Sequence, residues 1–380
     1  METLPASAAA ECGDALTEWW RDLGCLTSGP HVLGLSGGRD SRVVAAYALR
    51  SSLDIAIKTF SPPALDADLA ERLVKLTGRG IPFTRNDQRK AITSVYKTSD
   101  SLLQHASAIL RANNPDVFVP TFLNGYSPST AFLPAISFSI GGQQGGITHP
   151  YLYDIGMINN KSSPTARFST VCDYHSKNAW GVTQTARAAA RERLESSLLA
   201  KAASANIDGF YLLDFMDLDI YSNRLWAGAV GAYDAKTPLT VYPYVRYGFS
   251  QPLTSKLNSS FVREVVALAM PQWRDVPFFH EFPSEQQHDF HIVQPTWWEM
   301  GRGEELMEIY TSHPELWELF DKDTIMEAAN RWQYDTSDDL APSDTAFRTR
   351  CHRCAQRQIW LLAFLQELKE INNTVKMLQK

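Results

Sequence analysis

A chain of 380 residues can hold one large domain or two ordinary ones, and 44% hydrophobic against 21% charged residues is the balance of a globular enzyme. A formal net charge of -6 argues against a protein that coats nucleic acid, and no stretch approaches the ~20 consecutive apolar residues that span a bilayer. Met1 to Ala10 carries Glu2 and neither Lys nor Arg, a poor signal peptide, and five mostly scattered cysteines suit a reducing cytoplasm, the expected compartment.

The first predicted element is an amphipathic helix over residues 11–25, where Ala15, Leu16, Trp19, Trp20 and Leu23 share one face. Gly29-Pro30 ends it. Val32, Leu33 and Leu35 then read as a short buried strand, and Val43 to Leu49 as an apolar helix. Between them lies Ser36-Gly37-Gly38-Arg39-Asp40-Ser41. A strand, a glycine turn and a helix aim free backbone N–H groups and a positive helix end at an anion. Leu35, Ser36, Gly37, Gly38, Arg39, Asp40 and Ser41 are therefore candidate phosphate-binding residues, with Asp40 a candidate magnesium ligand and Arg39 and Arg42 candidate charge partners.

Ile55 to Phe60 predicts a second strand and Asp66 to about Lys75 a second helix, so the chain alternates as in a doubly wound parallel sheet. Ligands bind outside the carboxyl ends of such strands, which places Thr59, Phe60 and Ser61 beside an adenine. Ile81-Pro82-Phe83 reads as a third strand, 91–112 as a helix, and 117–120 and 135–140 as further strands. The last of these runs into Gly141-Gly142-Gln143-Gln144-Gly145-Gly146, a second backbone-donor loop or else a hairpin tip; Gly141 and Gly142 join the candidate binding residues. Residues 184–205 form a high-propensity helix on which Arg187, Arg191 and Arg193 are expected to face solvent. His288 and His291 have the spacing of a metal pair, but with His280 they sit among Pro and Phe residues that favour loop and core placements. Helices over 303–333 and 344–369 close the chain. Cys351-His352-Arg353-Cys354 is expected to head the last one, as packing cysteines, half of a metal site, or a redox or sulfur-transfer pair.

The order Ser-Gly-Gly-x-Asp-Ser at 36–41 resembles the signature of the ATP pyrophosphatase (PP-loop) superfamily, and differs in spacing from a Walker loop and from Gly-x-Gly-x-x-Gly. The second glycine loop followed by Tyr151-Leu152-Tyr153, then Asp214 to Leu218, Asn223 to Gly228 and Val241 to Arg246, resembles in order the synthetase domain of asparagine synthetase. β-Lactam synthetase and lasso-peptide macrocyclases share that domain. The resemblance covers about residues 27–270. It implies an α/β fold, a doubly wound parallel sheet of the adenine-nucleotide α-hydrolase type with added helices at both ends. The divisions are a helical segment over 1–28, the synthetase domain over 29–270 and a helical extension over 271–380.

The resemblance also implies a chemistry. ATP and Mg2+ would be the cofactors, a small-molecule or peptide carboxylate would be adenylated with loss of pyrophosphate, and an amine would then displace AMP. Asp40 and Arg246 are the implied catalytic residues, although Arg246 stands where the family has Asp. The second loop also departs, having no carboxylate from Gly141 to Pro150, so that Arg39, Arg42 or Arg246 would neutralise the phosphates. Asp66 and Asp68 loosely match an acidic residue that opens the family's second helix. Lys256 lies too close to the Val241 to Arg246 segment to stand for the family's later catalytic lysine. With Glu2 in place of an N-terminal cysteine and about thirty residues before the nucleotide strand, no glutaminase domain is expected, and the nitrogen would come from ammonia, a partner or a substrate amine. Two other functions remain open, a PP-loop sulfur transferase using Cys351 and Cys354 and a non-catalytic nucleotide-binding module.

Overall fold

The computed structural model describes residues 4–27, 30–61, 64–87, 101–112, 139–142, 145–159, 163, 168–169, 172–173, 180–219, 237–287, 297–298, 300–333 and 342–378. The chain divides into two compact units that interleave along the sequence. The first holds residues 1–91, 130–164 and 207–292; the second holds 92–129, 165–206 and 293–380.

The first unit is α/β. Its sheet has the order β3-β2-β1-β4, with β1 at His31–Gly34, β2 at Ile55–Ser61, β3 at Phe83–Asp87 and β4 at Ser139–Ile140. Every pairing is parallel: His31 lies opposite Ile55, Val32 opposite Ser139, and Ile57 opposite Phe83. Parallel strands require crossovers, and here helices supply two of them. α2 (Asp40–Arg50) links β1 to β2, and α3 (Ala64–Leu76) links β2 to β3. The run Val43 to Leu49 is buried without a break, so α2 is a helix enclosed on all sides rather than an amphipathic one.

α1 (Ala8–Leu26) starts three residues before its expected position and buries Cys12, Leu16, Trp20 and Leu23 along one stripe. That stripe packs on α2 and on the Ser260–Ala269 helix. Each of its fully buried large side chains contributes about 1.5–3 kcal/mol of transfer free energy. Trp273 and Val276 are buried in the same core, and the Trp273 indole donates to the Leu73 carbonyl at 2.9 Å. Residues 271–287 therefore belong with the sheet, whereas sequence alone assigns them to a C-terminal extension.

β3 begins at Phe83, where sequence alone centres the strand on Ile81 to Phe83. Pro82 can only accept, and its carbonyl takes the Ile57 amide at 2.8 Å; the paired residues that follow are Thr84, Arg85, Asn86 and Asp87. A sheet-edge strand needs little apolar surface, which leaves it faint in a hydropathy pattern. Of the other expected strands, 117–120 and 135–138 lie outside the described residues, as do residues 91–100 of the expected helix, whose described part is Leu102–Ala112.

In the described residues of the second unit the elements are helical, with one isolated bridge between Val182 and Phe320. The expected 303–333 helix is broken at His313-Pro314 into Gly303–Ser312 and Lys322–Gln333, with a 3-10 segment between them. The last helix runs from Pro342 to Leu378. Cys351 and Cys354 thus sit inside it rather than at its head. Arg191 does not face solvent freely: it pairs with Asp173, with Glu195 at 2.8 Å and with Ser169 at 2.8 Å. No helix among the described residues is long and apolar enough to cross a membrane.

Candidate functional site

In the strand order β3-β2-β1-β4 the chain progresses to one side from β1 through β2 to β3, and to the other side at β4. Such a reversal opens a crevice at the carboxyl ends of the two strands that flank it. The two glycine segments leave those two strands, residues 35–39 from β1 and 141–142 with 145–148 from β4. They meet. A methyl group on Gly142 would lie 2.7 Å from the Ser41 amide nitrogen and 2.8 Å from the Asp40 carbonyl carbon. A methyl group on Gly145 would strike the Asp40 carboxyl group. Glycine is required at both places by close approach to the first turn of α2.

Within the first segment, the Ser36 amide donates to Ser41 Oγ at 3.1 Å, the two serine hydroxyls are 2.8 Å apart, and the Gly38 amide donates to Ser36 Oγ at 3.1 Å. The Gly37 amide donates to Asp66 Oδ1 at 2.7 Å, so a carboxylate from α3 occupies the donor that a phosphate oxygen would use. Arg42 is not a phosphate partner. It is wholly buried, donates to the carbonyls of Gly37, Val276 and Pro277, and lies 4.3 Å from the centre of the Phe278 ring. It straps the loop to the 276–279 segment, which also bonds Gly37 through the Phe279 amide at 2.9 Å. Burial pulls the Arg42 pKa down to about 9.

Arg39 reaches Ser259 Oγ at 3.0 Å, and burial lowers its pKa. Ser259 occupies a left-handed turn (φ 57) between the Leu253–Asn258 and Ser260–Ala269 helices. Asp40 opens α2 with a buried Oδ1 that has no hydrogen-bond partner among the described residues, and burial raises its pKa to about 7. His149 Nδ1 is 3.8 Å from that oxygen. Burial, then Arg39, His280 and Lys256 hold the imidazole well below its ordinary pKa, so it is neutral. His280, half-buried near Arg39, is lowered to about 4, chiefly by burial.

Thr59, Phe60 and Ser61 extend β2 one to three residues beyond the Gly34–Lys58 pair, beside the Leu35 amide, which bonds the Lys58 carbonyl at 2.9 Å. Thr59 is buried and Phe60 is 42% exposed. The structure does not bring Arg246 to the loop. On the Tyr242–Ser250 helix, Tyr244 is buried and its phenol is raised by burial and then by Asp40. Two residues correspond to about 200° of rotation, so Arg246 lies on the opposite face, exposed and 5.2 Å from the Tyr247 ring centre.

Behind the second glycine segment lies a group that sequence reading leaves unassigned. Lys256 is wholly buried and donates to Asp214 Oδ2 at 2.7 Å and to the Ile147 carbonyl at 3.2 Å. Tyr153 donates to the same Asp214 oxygen at 3.1 Å. Gln251 supports the segment from below, donating to the Thr148 carbonyl at 3.2 Å. A lysine between apolar Leu253 and Leu257 carries no pattern that marks burial, so it was not legible from spacing.

Cys351, His352 and Cys354 are buried in the second unit, and burial pushes the Cys354 thiol up to about 12. That environment disfavours a thiolate and is that of a packing cysteine. His288 and His291 lie outside the described residues, and among the described residues no three His, Cys, Asp or Glu side chains gather as a metal site. The lone orphaned acceptor of Asp40 still fits Mg2+, which is commonly held by one carboxylate together with phosphates and water.

The raised Asp40 pKa has a measurable consequence. Above pH 7 the folded state holds an ionised, desolvated carboxylate; between the ordinary 3.8 and about 7 it binds a proton that the unfolded chain has released, so stability falls as pH rises through this window. Asp40→Asn is expected to raise Tm by a few degrees at pH 8, with the gain vanishing toward pH 4, in thermal melts across that range. No family model and no curated protein matches the chain.

Proposed function

We propose that the chain is an AMP-forming carbon–nitrogen ligase of the asparagine synthetase-like, PP-loop type. The observation that carries this reading is the meeting of two glycine segments at the reversal point of a parallel sheet, on the first turn of a buried helix. A phosphate chain bound there would take its donors from the 36–41 turn and the amides that open α2. Phe60 at the end of β2 offers an exposed ring for adenine, and Thr59 and Ser61 flank it. Gly141 and Gly142 let the second segment approach from the β4 side. Asp66 would release the Gly37 amide to a phosphate oxygen.

In the reaction, a substrate carboxylate oxygen attacks the α-phosphorus and the bond to the bridging α–β oxygen breaks, releasing pyrophosphate. An amine nitrogen then attacks the acyl carbon, the carbon–oxygen bond to AMP breaks, and the nitrogen loses a proton. Mg2+ held by Asp40 would supply charge neutralisation for the departing phosphates. This chain contributes position and fixed dipoles: Arg39, anchored by Ser259, brings a cation to the mouth, and Tyr244 and neutral His149 wall the Asp40 side against water.

The test is product analysis with ATP and a panel of carboxylic acids and amines. AMP and pyrophosphate are expected in equal amounts, and Asp40→Asn is expected to lower turnover by about 10²-fold or more, or about 2.7 kcal/mol in barrier terms. ADP and phosphate as products would overturn the reading. A second reading, a nucleotide-binding module without turnover, is favoured by the Asp66 carboxylate on Gly37 and by the lack of any carboxylate from Gly141 to Pro150; it requires ATP binding with no AMP released.

A further inference from the structure

The Pro342–Leu378 helix changes character along its length. Between Cys351 and Ala363 it is a core element, burying Cys354, Ile359 and Leu362. From Phe364 to Met377 none of its side chains is buried, yet apolar residues persist. They are not scattered. Leu361, Phe364, Leu368, Ile371 and Val375 follow one another at steps of three, four, three and four, and Leu378 continues the spacing. On a helix these positions form one stripe about 100° wide and about 26 Å long. Leu368 is 39% exposed on it, Ile371 57% and Val375 44%. Gln366, Lys369, Asn372, Asn373 and Lys376 take the opposite face. The packed neighbour, the Leu102–Ala112 helix, meets a third side, where Arg111 donates to both carboxylate oxygens of Glu367 at 2.9 and 3.0 Å and to Glu370 at 3.1 Å.

Alternating steps of three and four make the seam of a coiled coil, so what fits the stripe is another helix with the same spacing. The positions flanking the seam decide whose helix, because their charges select or reject partners. Here they are Leu365, Glu367, Asn372 and Thr374, and the one charge among them, Glu367, is matched within the chain by Arg111. Such a rim gives a charged partner nothing to pair with, and gives two copies nothing to repel. We infer that the stripe is a self-association surface, on which a second copy of this chain docks helix against helix about a two-fold axis.

The test is analytical ultracentrifugation of the full chain between about 1 and 100 μM, with thermal melts of the same samples. The mass is expected to rise with concentration toward that of a dimer. Ile371→Glu and Val375→Glu, each at an exposed position, are expected to weaken the dimer by about tenfold or more and to leave Tm within about 2 °C of the parent. Asn373→Glu adds the same charge to the polar face of the same turns, and is expected to keep the dimer constant within about twofold. A parent chain that stays monomeric overturns the assignment, even where another protein binds the stripe. So does a dimer equally tight in the parent, Ile371→Glu and Val375→Glu, or one weakened as much by Asn373→Glu. A large fall in Tm in both seam variants would mean that the stripe packs within its own chain, and overturns the assignment as well.

Discussion

Replacing Lys256 by methionine is expected to cost about 3–5 kcal/mol of stability, because it strands the Asp214 carboxylate in a site from which water is excluded. The Lys256 side chain is wholly buried and that of Asp214 is 4% exposed, so neither charge can turn to solvent when its partner is removed. Lys256 also holds the Ile147 carbonyl, and its loss frees the second glycine segment from one of its supports. The double variant Lys256→Met, Asp214→Leu should recover much of the loss, since a buried pair is replaced by apolar volume rather than broken. Urea unfolding of the two variants measures both quantities. A single variant within 1 kcal/mol of the parent would mean that the pair contributes little.

Gly142→Ala is expected to lower ATP turnover by about 10²-fold or more while costing only about 1–3 kcal/mol of stability. The added methyl group would meet backbone atoms of Asp40 and Ser41, which cannot rotate away as a side chain would. The segment after β4 must therefore lift from the opening turn of α2, which changes how the two segments meet. Gly34, by contrast, has nothing within 4 Å of an added methyl group, so Gly34→Ala serves as a control with turnover near that of the parent. Steady-state release of AMP and thermal melts, read together, separate a misplaced loop from a lost fold. Equal turnover in Gly142→Ala and Gly34→Ala would detach the second segment from catalysis.

Several parts of this protein were legible in one dimension because they are local. The β1 strand, the glycine turn and α2 are contiguous, and each has its own signal: an apolar run, two residues without side chains, and an unbroken apolar run with three alanines and a leucine from Val43 to Leu49. The placement of Thr59, Phe60 and Ser61 beside the turn also followed, since parallel strands of matched length put consecutive carboxyl ends at one edge. Arg42 and Arg246 are not placed by the fold as the sequence suggests. Arg42 adjoins the glycine turn and Arg246 ends a segment singled out by its resemblance, and only packing distinguishes a guanidinium that bonds three carbonyls from one on the outer face of a helix.

What the sequence by itself determined is a local unit: a strand, a glycine turn with Asp40 at a helix start, and a second glycine run after an apolar stretch. What only the tertiary structure decided is which distant residues surround that unit. The β4 crossover sets Gly142 and Gly145 on Asp40; residues 276–279, more than 230 positions later, strap the turn; and Lys256 closes on Asp214 across 42 residues. The reason is physical. Backbone propensity and hydropathy act over a few residues and leave a periodic trace, whereas the pairing of buried charges depends on desolvation, which exists only once the chain has closed around them.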